Sequence, residues 1–236
     1  MNVSVIIPAA GLGTRMGRDK SATSRKQFLS LEGVPILIHT IRKFLKCPSV
    51  KEIVIALRAE DLPGTRELIE QEKSSIPVRF VEGGDSRQSS VENALASLGP
   101  SVELVAVHDA VRPFVTPEIV ENVVAEAGRT GAAIVGIVPV DTVKQMHRKD
   151  KIKSTLPREH LVLAQTPQVF KLDLLRQAFA QARADKFTGT DEASLVERLE
   201  TIDVSVVQGS DRNIKITKPA DLDLAHLFLQ KEREQA

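Results

Sequence analysis

The chain has 236 residues, 42% of them hydrophobic and 27% charged, with a formal net charge of +1. It is long enough to bury a full core, and its charge balance argues against nucleic acid as a partner, which calls for a strongly basic face. The single cysteine, Cys47, excludes an internal disulfide and a cysteine-based zinc site, and no apolar run approaches the ~18 residues that cross a bilayer, so no membrane role and a cytoplasmic setting are expected.

In chain order, Val3 to Pro8 is a continuous apolar run, the pattern of a strand covered on both faces. Too short for a signal peptide and without a basic lead, it is expected to be the first core strand. Pro35 to Leu45 has helical spacing and leads to Cys47, which is expected to be packed rather than reactive. Glu52 to Leu57 reads as a second strand, Glu60 to Lys73 as a helix and Val78 to Val81 as a third strand. Ser86 to Leu98 places Val91, Ala94, Leu95 and Leu98 on one helical face, and Leu104 to Val107 is a fourth strand. Thr116-Pro117-Glu118 combines a capping hydroxyl, a first-turn proline and an acid, a helix start that brings Ile119, Val120, Val123, Val124 and Ala127 together. Ala133 to Val138 is a fifth strand.

Residues 141–165 break this rhythm: they are polar and charged, with a turn expected near Lys149-Asp150. We read them as a projecting β-hairpin arm within a single 1–236 domain; an arm with little core of its own needs a partner, which points to a homodimer. Helices follow near Leu172 to Ala184 and Asp191 to Leu199, then a strand at Val204 to Val207, the alternating stretch NIKIT at 213–217, and a C-terminal helix. Alternating strands and helices predict an α/β fold, a doubly wound and mostly parallel central sheet. Ligands of such sheets lie outside the carboxyl ends of strands, and the unusual motifs all follow strands: PAAGLGTRMG the first, GGDSR the third, HDAVRP the fourth and PVDT the fifth.

The stretch PAAGLGTRMGRDKSATSRKQF, residues 8–28, is glycine-rich and strongly cationic, as a polyphosphate site requires. It is neither of two familiar phosphate loops. A dinucleotide fingerprint starting at Gly11 and Gly13 would need glycine where Met16 stands, and a P-loop would need lysine where Arg18 follows Gly17. Glycines still let backbone N–H groups turn inward as an anion nest, and Arg15 and Lys26 can add charge-assisted hydrogen bonds.

The ordered set PAAGLGTRMG, KQF, GGDSR, HDAVRPF, the second DT, TPQ, TDEAS and NIKIT resembles the 2-C-methyl-D-erythritol 4-phosphate cytidylyltransferase family of sugar-nucleotide-type nucleotidyltransferases, from residue 3 to about 228. The resemblance implies a Rossmann-like nucleotidyltransferase that joins CTP and methylerythritol phosphate, with Mg²⁺, in the non-mevalonate isoprenoid route. It implies catalytic roles for Arg15, Lys26, Arg158 and Lys215. Backbone and side chains at Ala9, Ala10, Gly11, Gly84, Asp85 and Ser90 would frame the nucleotide. Asp109, Arg112, Thr142, Thr166 and Thr190 would hold the polyol phosphate, Thr142 and Arg158 reaching from the other subunit through the 141–165 arm, and Asp109 could also approach the metal.

Three alternatives stay open at this level. The segment RDKSATSR between Gly17 and Lys26 is longer than the family's usual spacer, so Lys20 and Arg25 compete with Lys26. Ser90 could be an ordinary helix cap, and Thr190 reads first as one, while His108 is expected to pack at a strand end. Ribitol 5-phosphate could be the acceptor instead, although Ala9-Ala10-Gly11 favours methylerythritol phosphate, and a catalytically silent nucleotide-binding regulator is a rival from another class.

Overall fold

The computed structural model describes residues 1–11 and 25–234. Its elements in chain order are β1 (Val3–Pro8), a short hairpin of β2 (Ser30–Leu31) and β3 (Val34–Pro35), α1 (Ile36–Phe44), β4 (Val50–Leu57), α2 (Leu62–Gln71), β5 (Val78–Glu82), α3 (Arg87–Ala96), β6 (Leu104–Val107) and α4 (Pro117–Thr130). β7 (Ala132–Ile137), β8 (Val143–Arg148), β9 (Lys151–Leu156), β10 (Leu163–Lys171), α5 (Leu172–Ala184), α6 (Glu192–Glu197), β11 (Ser205–Gln208) and α7 (Pro219–Glu234) follow.

Among the described residues, seven strands form one sheet in the order β11-β7-β10-β6-β1-β4-β5. All neighbours run parallel except β10, which is antiparallel to both β6 and β7. The fold is thus the expected doubly wound, mostly parallel α/β sheet. Alternation along the central strands explains the two layers. Val3, Val5 and Ile7 of β1 join Leu104 and Ala106 of β6 in a core with α1 and α4, while Ile6, Val105 and Val107 face a second core with α3, α5 and α6. Both faces are covered, which is why these strands read as unbroken apolar runs. A third, smaller core lies outside the sheet and joins α7 to the β2–β3 hairpin.

Helix ends follow local chemistry. Thr116 caps α4 by accepting from the Ile119 N–H, and Gly131 ends it at φ 98°, a left-handed conformation that favours glycine. α3 starts with a capping box between Ser86 and Ser89.

Three expectations need correction. Residues 163–165 belong to β10 and not to the hairpin, whose strands β8 and β9 pair only with each other. β10 itself escapes a sequence reading because LAQTPQVFK buries Gln165, Thr166 and Gln168 in the middle of a sheet and carries a proline that cannot donate to the ladder. NIKIT is not a strand: residues 213–217 run as irregular backbone, anchored where the Ile216 N–H donates to the Val111 carbonyl at 3.0 Å.

Cys47 is 2% exposed, its Sγ lies 3.3 Å from the Lys43 carbonyl oxygen, and burial pushes its thiol up to about 12. A buried, protonated thiol is a poor nucleophile. Titration with Ellman's reagent at pH 8 is expected to detect no reactive thiol in the native protein and one per chain after denaturation.

Candidate active site

β1 leads on one side to β4 and β5, and the chain then returns to the other side of β1 as β6. The crevice between the carboxyl ends of β1 and β6 is therefore a topological switch point, where open α/β sheets bind ligands. A cleft of about 340 Å³ opens there, walled by Pro8–Gly11 after β1, Gly84–Arg87 at the start of α3, Asp109–Val111 after β6, and Lys215–Thr217. Beside it a smaller cleft of about 160 Å³ is lined by Arg112, Gln165, Thr166, Thr190 and Asp191. Arg87, Asp109 and Lys215 line both, so they form the wall between the two.

That wall is an ionic network around one carboxylate. Asp109 is 7% exposed and accepts from Arg87 Nε at 3.2 Å, Arg112 Nε at 3.4 Å and Lys215 Nζ at 2.9 Å. Burial alone would raise its carboxyl, but Arg87, Lys215 and Arg112 overcome this and hold it well below the usual carboxylate range. Arg87 in turn gives two parallel hydrogen bonds to the buried carboxylate of Glu192 on α6, at 2.7 and 3.0 Å. Three cations against two carboxylates leave the wall one positive charge in excess.

The backbone of Asp109 is set by a second chain of bonds. Its N–H donates to Thr166 Oγ1 at 3.1 Å; the Arg112 carbonyl can only accept, so His108 Nε2–H donates to it at 3.1 Å, and Nδ1 of the neutral ring accepts from the Thr166 hydroxyl at 3.0 Å. Burial drives His108 down to about 4, so this ring is neutral at pH 7. It packs edge-on against Phe44, with ring centroids 4.8 Å apart. Arg112 Nη1 also donates to the Asn213 carbonyl at 2.6 Å.

On the side of the larger cleft, Gln27 Nε2 donates to the carbonyls of Ala9 (2.6 Å) and Gly11 (3.1 Å), and Arg58 Nε donates to that of Ala10 (2.9 Å). Three successive carbonyls are thereby fixed. Ser90 is buried in α3, where its hydroxyl donates to the Ser86 carbonyl and accepts from the Gly84 N–H. It is not a cap; Ser86 is. Gly83 must be glycine, since a Cβ there would lie 2.3 Å from that of Ala10.

The structure gathers most of the residues expected from the sequence. Ala9, Ala10, Gly11, Lys26, Gly84, Asp85, Ser90, Asp109 and Lys215 line the larger cleft, and Arg112, Thr166 and Thr190 the smaller. Lys26 is buried, and its Nζ donates to the Thr217 carbonyl at 2.6 Å. Its neighbour Arg25 instead pairs with Asp61 (2.6 Å) and Glu60 (3.2 Å) and does not line the cleft. Arg15 and Lys20 lie outside the described residues. Thr142 and Arg158 are exposed on or near the hairpin and line neither cleft; Arg158 donates to the Val140 carbonyl. Thr190 is not the helix cap: Asp191 caps α6 by accepting from the Ser194 N–H, because its carboxylate is one residue nearer the first turn.

Sequence reasoning passed over Arg87, Glu192, Gln27, Arg58 and Asn213. The first two sit inside GGDSR and TDEAS and the third inside KQF, so their motifs were visible while their pairing was not. Among the described residues no three His, Cys, Asp or Glu side chains come together as a metal site. Both oxygens of Asp109, the carboxylate on the cleft wall, are engaged by Arg87, Arg112 and Lys215, so a Mg²⁺ beside it would have to take most of its oxygens from phosphates and water.

Similarity to known proteins agrees with this geometry. The family model described as 2-C-methyl-D-erythritol 4-phosphate cytidylyltransferase matches residues 3–231. A protein of that name from Solibacter usitatus is 63% identical over 98% of this chain and 97% of its own length. Another, from Acidobacterium capsulatum, is 49% identical over 98% of both. Among solved structures, 4-diphosphocytidyl-2C-methyl-D-erythritol synthase from Anaerococcus prevotii superposes with a TM-score of 0.84 at 30% identity, covering 97% of this chain and 98% of that one. The 2-C-methyl-D-erythritol 4-phosphate cytidylyltransferase of Thermus thermophilus gives 0.79 at 35% identity, covering 98% and 100%.

The buried Arg87–Glu192 pair yields a stability test. Glu192→Ala leaves Arg87 without its main partner and is expected to cost about 3–5 kcal/mol in urea unfolding, whereas replacing both residues by methionine is expected to cost less.

Proposed function

The chain belongs to the 2-C-methyl-D-erythritol 4-phosphate cytidylyltransferase family and catalyses cytidylyl transfer from CTP to that polyol phosphate in the non-mevalonate route; from this we propose that the reaction runs across the Arg87–Asp109–Lys215 wall. CTP occupies the larger cleft and methylerythritol phosphate the smaller. A phosphate oxygen of the acceptor attacks the α-phosphorus of CTP in line; the new P–O bond forms as the bond to the β-phosphate oxygen breaks, and pyrophosphate leaves with that electron pair. The nucleophile has a second pKa of about 6 and is already ionised at neutral pH, so no general base is needed. The work is positioning and stabilisation of charge at the crowded phosphorus.

In this reading Lys26 and Lys215, whose segments meet where Lys26 Nζ donates to the Thr217 carbonyl, face the phosphates, with Arg15 as a third cation from the glycine-rich stretch. Ala9, Ala10 and Gly11, whose carbonyls are fixed by Gln27 and Arg58, frame the nucleoside together with Gly84, Asp85 and Ser90. Asp109, Arg112, Thr166 and Thr190 receive the acceptor. Asp109 has a double task. It draws Lys215 to the wall at 2.9 Å, and it is the carboxylate within reach of a Mg²⁺ carried by the nucleotide. Mg²⁺, when bound, neutralises triphosphate charge. The observation that carries the reading is the wall itself: built on a buried carboxylate, one positive charge in excess, and shared by two adjoining clefts.

We further propose that the β8–β9 hairpin pairs two copies of the chain, bringing Thr142 and Arg158 to the partner's smaller cleft. Val138, Val140, Met146, Ile152 and Leu163 are at least half exposed on or near it, an apolar surface that water disfavours. No helix among the described residues is long and apolar enough to cross a membrane, and the lone buried thiol suits the cytoplasm.

Pyrophosphate is expected to appear only when CTP and methylerythritol phosphate are both present, with ribitol 5-phosphate inactive. Lys26→Ala and Lys215→Ala should each lower kcat by about 100-fold or more, the scale of a lost oxyanion donor. Arg25→Ala should cost stability and spare turnover; the opposite pattern would move the second catalytic charge off Lys26. Replacing residues 144–155 with a short turn should yield a monomer in sedimentation equilibrium, and a dimer that persists would dismiss the hairpin as the interface.

A further inference from the structure

Three of the described cations assigned to substrates, Lys26, Arg112 and Lys215, come from three distant segments, yet they share one support. The third core contains Leu31 and Ile36 with Leu29 beside them, just after Lys26; Phe114 with Val111, on either side of Arg112; and Ile216 with Ile214, on either side of Lys215. One element closes this core. Leu222, Ala225, Phe228 and Leu229 of α7 recur at helical spacing and face it, while Leu224 and Leu227 on the same helix are exposed.

Hydrogen bonds join the segments to each other. Lys26 Nζ donates to the Thr217 carbonyl, the Ile216 N–H to the Val111 carbonyl, and Arg112 Nη1 to the Asn213 carbonyl. α7 is fixed at both ends. Asp221 Oδ2 accepts from the Thr217 and Lys218 N–H groups at 2.7 and 2.9 Å, tying the start of the helix to the segment that carries Lys215. Near the other end, Glu232 pairs with Lys43 at 2.7 Å and Arg233 pairs with Glu32. Phe228 meets Phe114 edge-on, with ring centroids 5.5 Å apart. The nucleoside side of the cleft rests elsewhere: Ala9 belongs to the core of α1 and α4, and Ser90 sits in α3, whose Val91 and Ala94 belong to the core of α5 and α6.

We propose that α7 is a positioning element for catalysis: by closing the third core it holds Lys26, Arg112 and Lys215 as one rigid unit, and Phe228 and Leu229 act on the reaction through those cations. This rests on the reading that the two lysines face the phosphates. Loss of packing under them shifts charge relative to the reacting phosphorus, while the base-binding surface stays in place.

The test compares Phe228→Ala and Leu229→Ala with Leu227→Ala on the exposed face, measuring kcat and the affinity for cytidine, which carries no phosphate. Phe228→Ala and Leu229→Ala are expected to lower kcat by about 10- to 100-fold, the cost of a misplacement near 1 Å. Cytidine affinity should stay within about twofold, Phe228→Leu should restore part of the rate, and Leu227→Ala should match the parent. In a Lys215→Ala background Phe228→Ala should lower kcat by a smaller factor than in the parent, because part of its effect runs through that lysine. Phe228 is only partly buried, so its variant serves if Leu229→Ala fails to fold. Unchanged kcat in Phe228→Ala, or cytidine affinity falling in step with kcat, overturns the proposal. If Lys26→Ala and Lys215→Ala themselves keep full turnover, the assignment of the lysines falls instead, whatever Phe228→Ala does.

Discussion

A buried carboxylate in the field of three cations organises this molecule. Asp109 stands at the carboxyl end of a central strand, where the sheet reverses its winding, and Arg87, Arg112 and Lys215 reach it from three different elements. Without it those like charges would repel one another at close range in a poorly solvated place. With it they become a wall that still carries positive charge in excess once Glu192 has been counted. Such a wall can sit between two anions without collapsing onto either.

The cores divide the supporting work. The sheet and its two helical layers fix the strand ends, with Ala9 after β1 and Ser90 in α3, while a third apolar cluster outside the sheet carries the cationic segments. Neutral groups do the fine alignment. The Asp109 N–H, the Thr166 hydroxyl, His108 and the Arg112 carbonyl form a chain whose tautomer follows from its last acceptor, the carbonyl. His108 is a spacer in this chain, held neutral by burial.

Much of this was legible in the chain itself. Strands covered on both faces announce themselves as apolar runs, and helices such as α4 carry their own start and stop signals in Thr116, Pro117 and Gly131. The switch-point rule then places GGDSR and HDAVRP at one crevice. What stayed hidden depends on partners far apart in sequence. β10 looked like loop because Gln165, Thr166 and Gln168 are polar, and they are buried only because Asn213, Asp109 and Asp191 await them. Glu192 drew no reading of its own, since nothing in TDEAS betrays that Arg87, 105 residues away, holds both its oxygens. Local pattern predicts elements; it does not predict which charges will meet.

Gln27 has a bearing on how such proteins diverge. Its amide clasps the carbonyls of Ala9 and Gly11, while Arg25 is moored to Glu60 and Asp61, so the described chain has a fixed post on each side of residues 12–24. The entropy of closing a loop grows only slowly with its length. Insertions between the posts can therefore accumulate at small cost without dragging Lys26 from its place, and the spacer becomes a region where related chains can differ in size while keeping one chemistry.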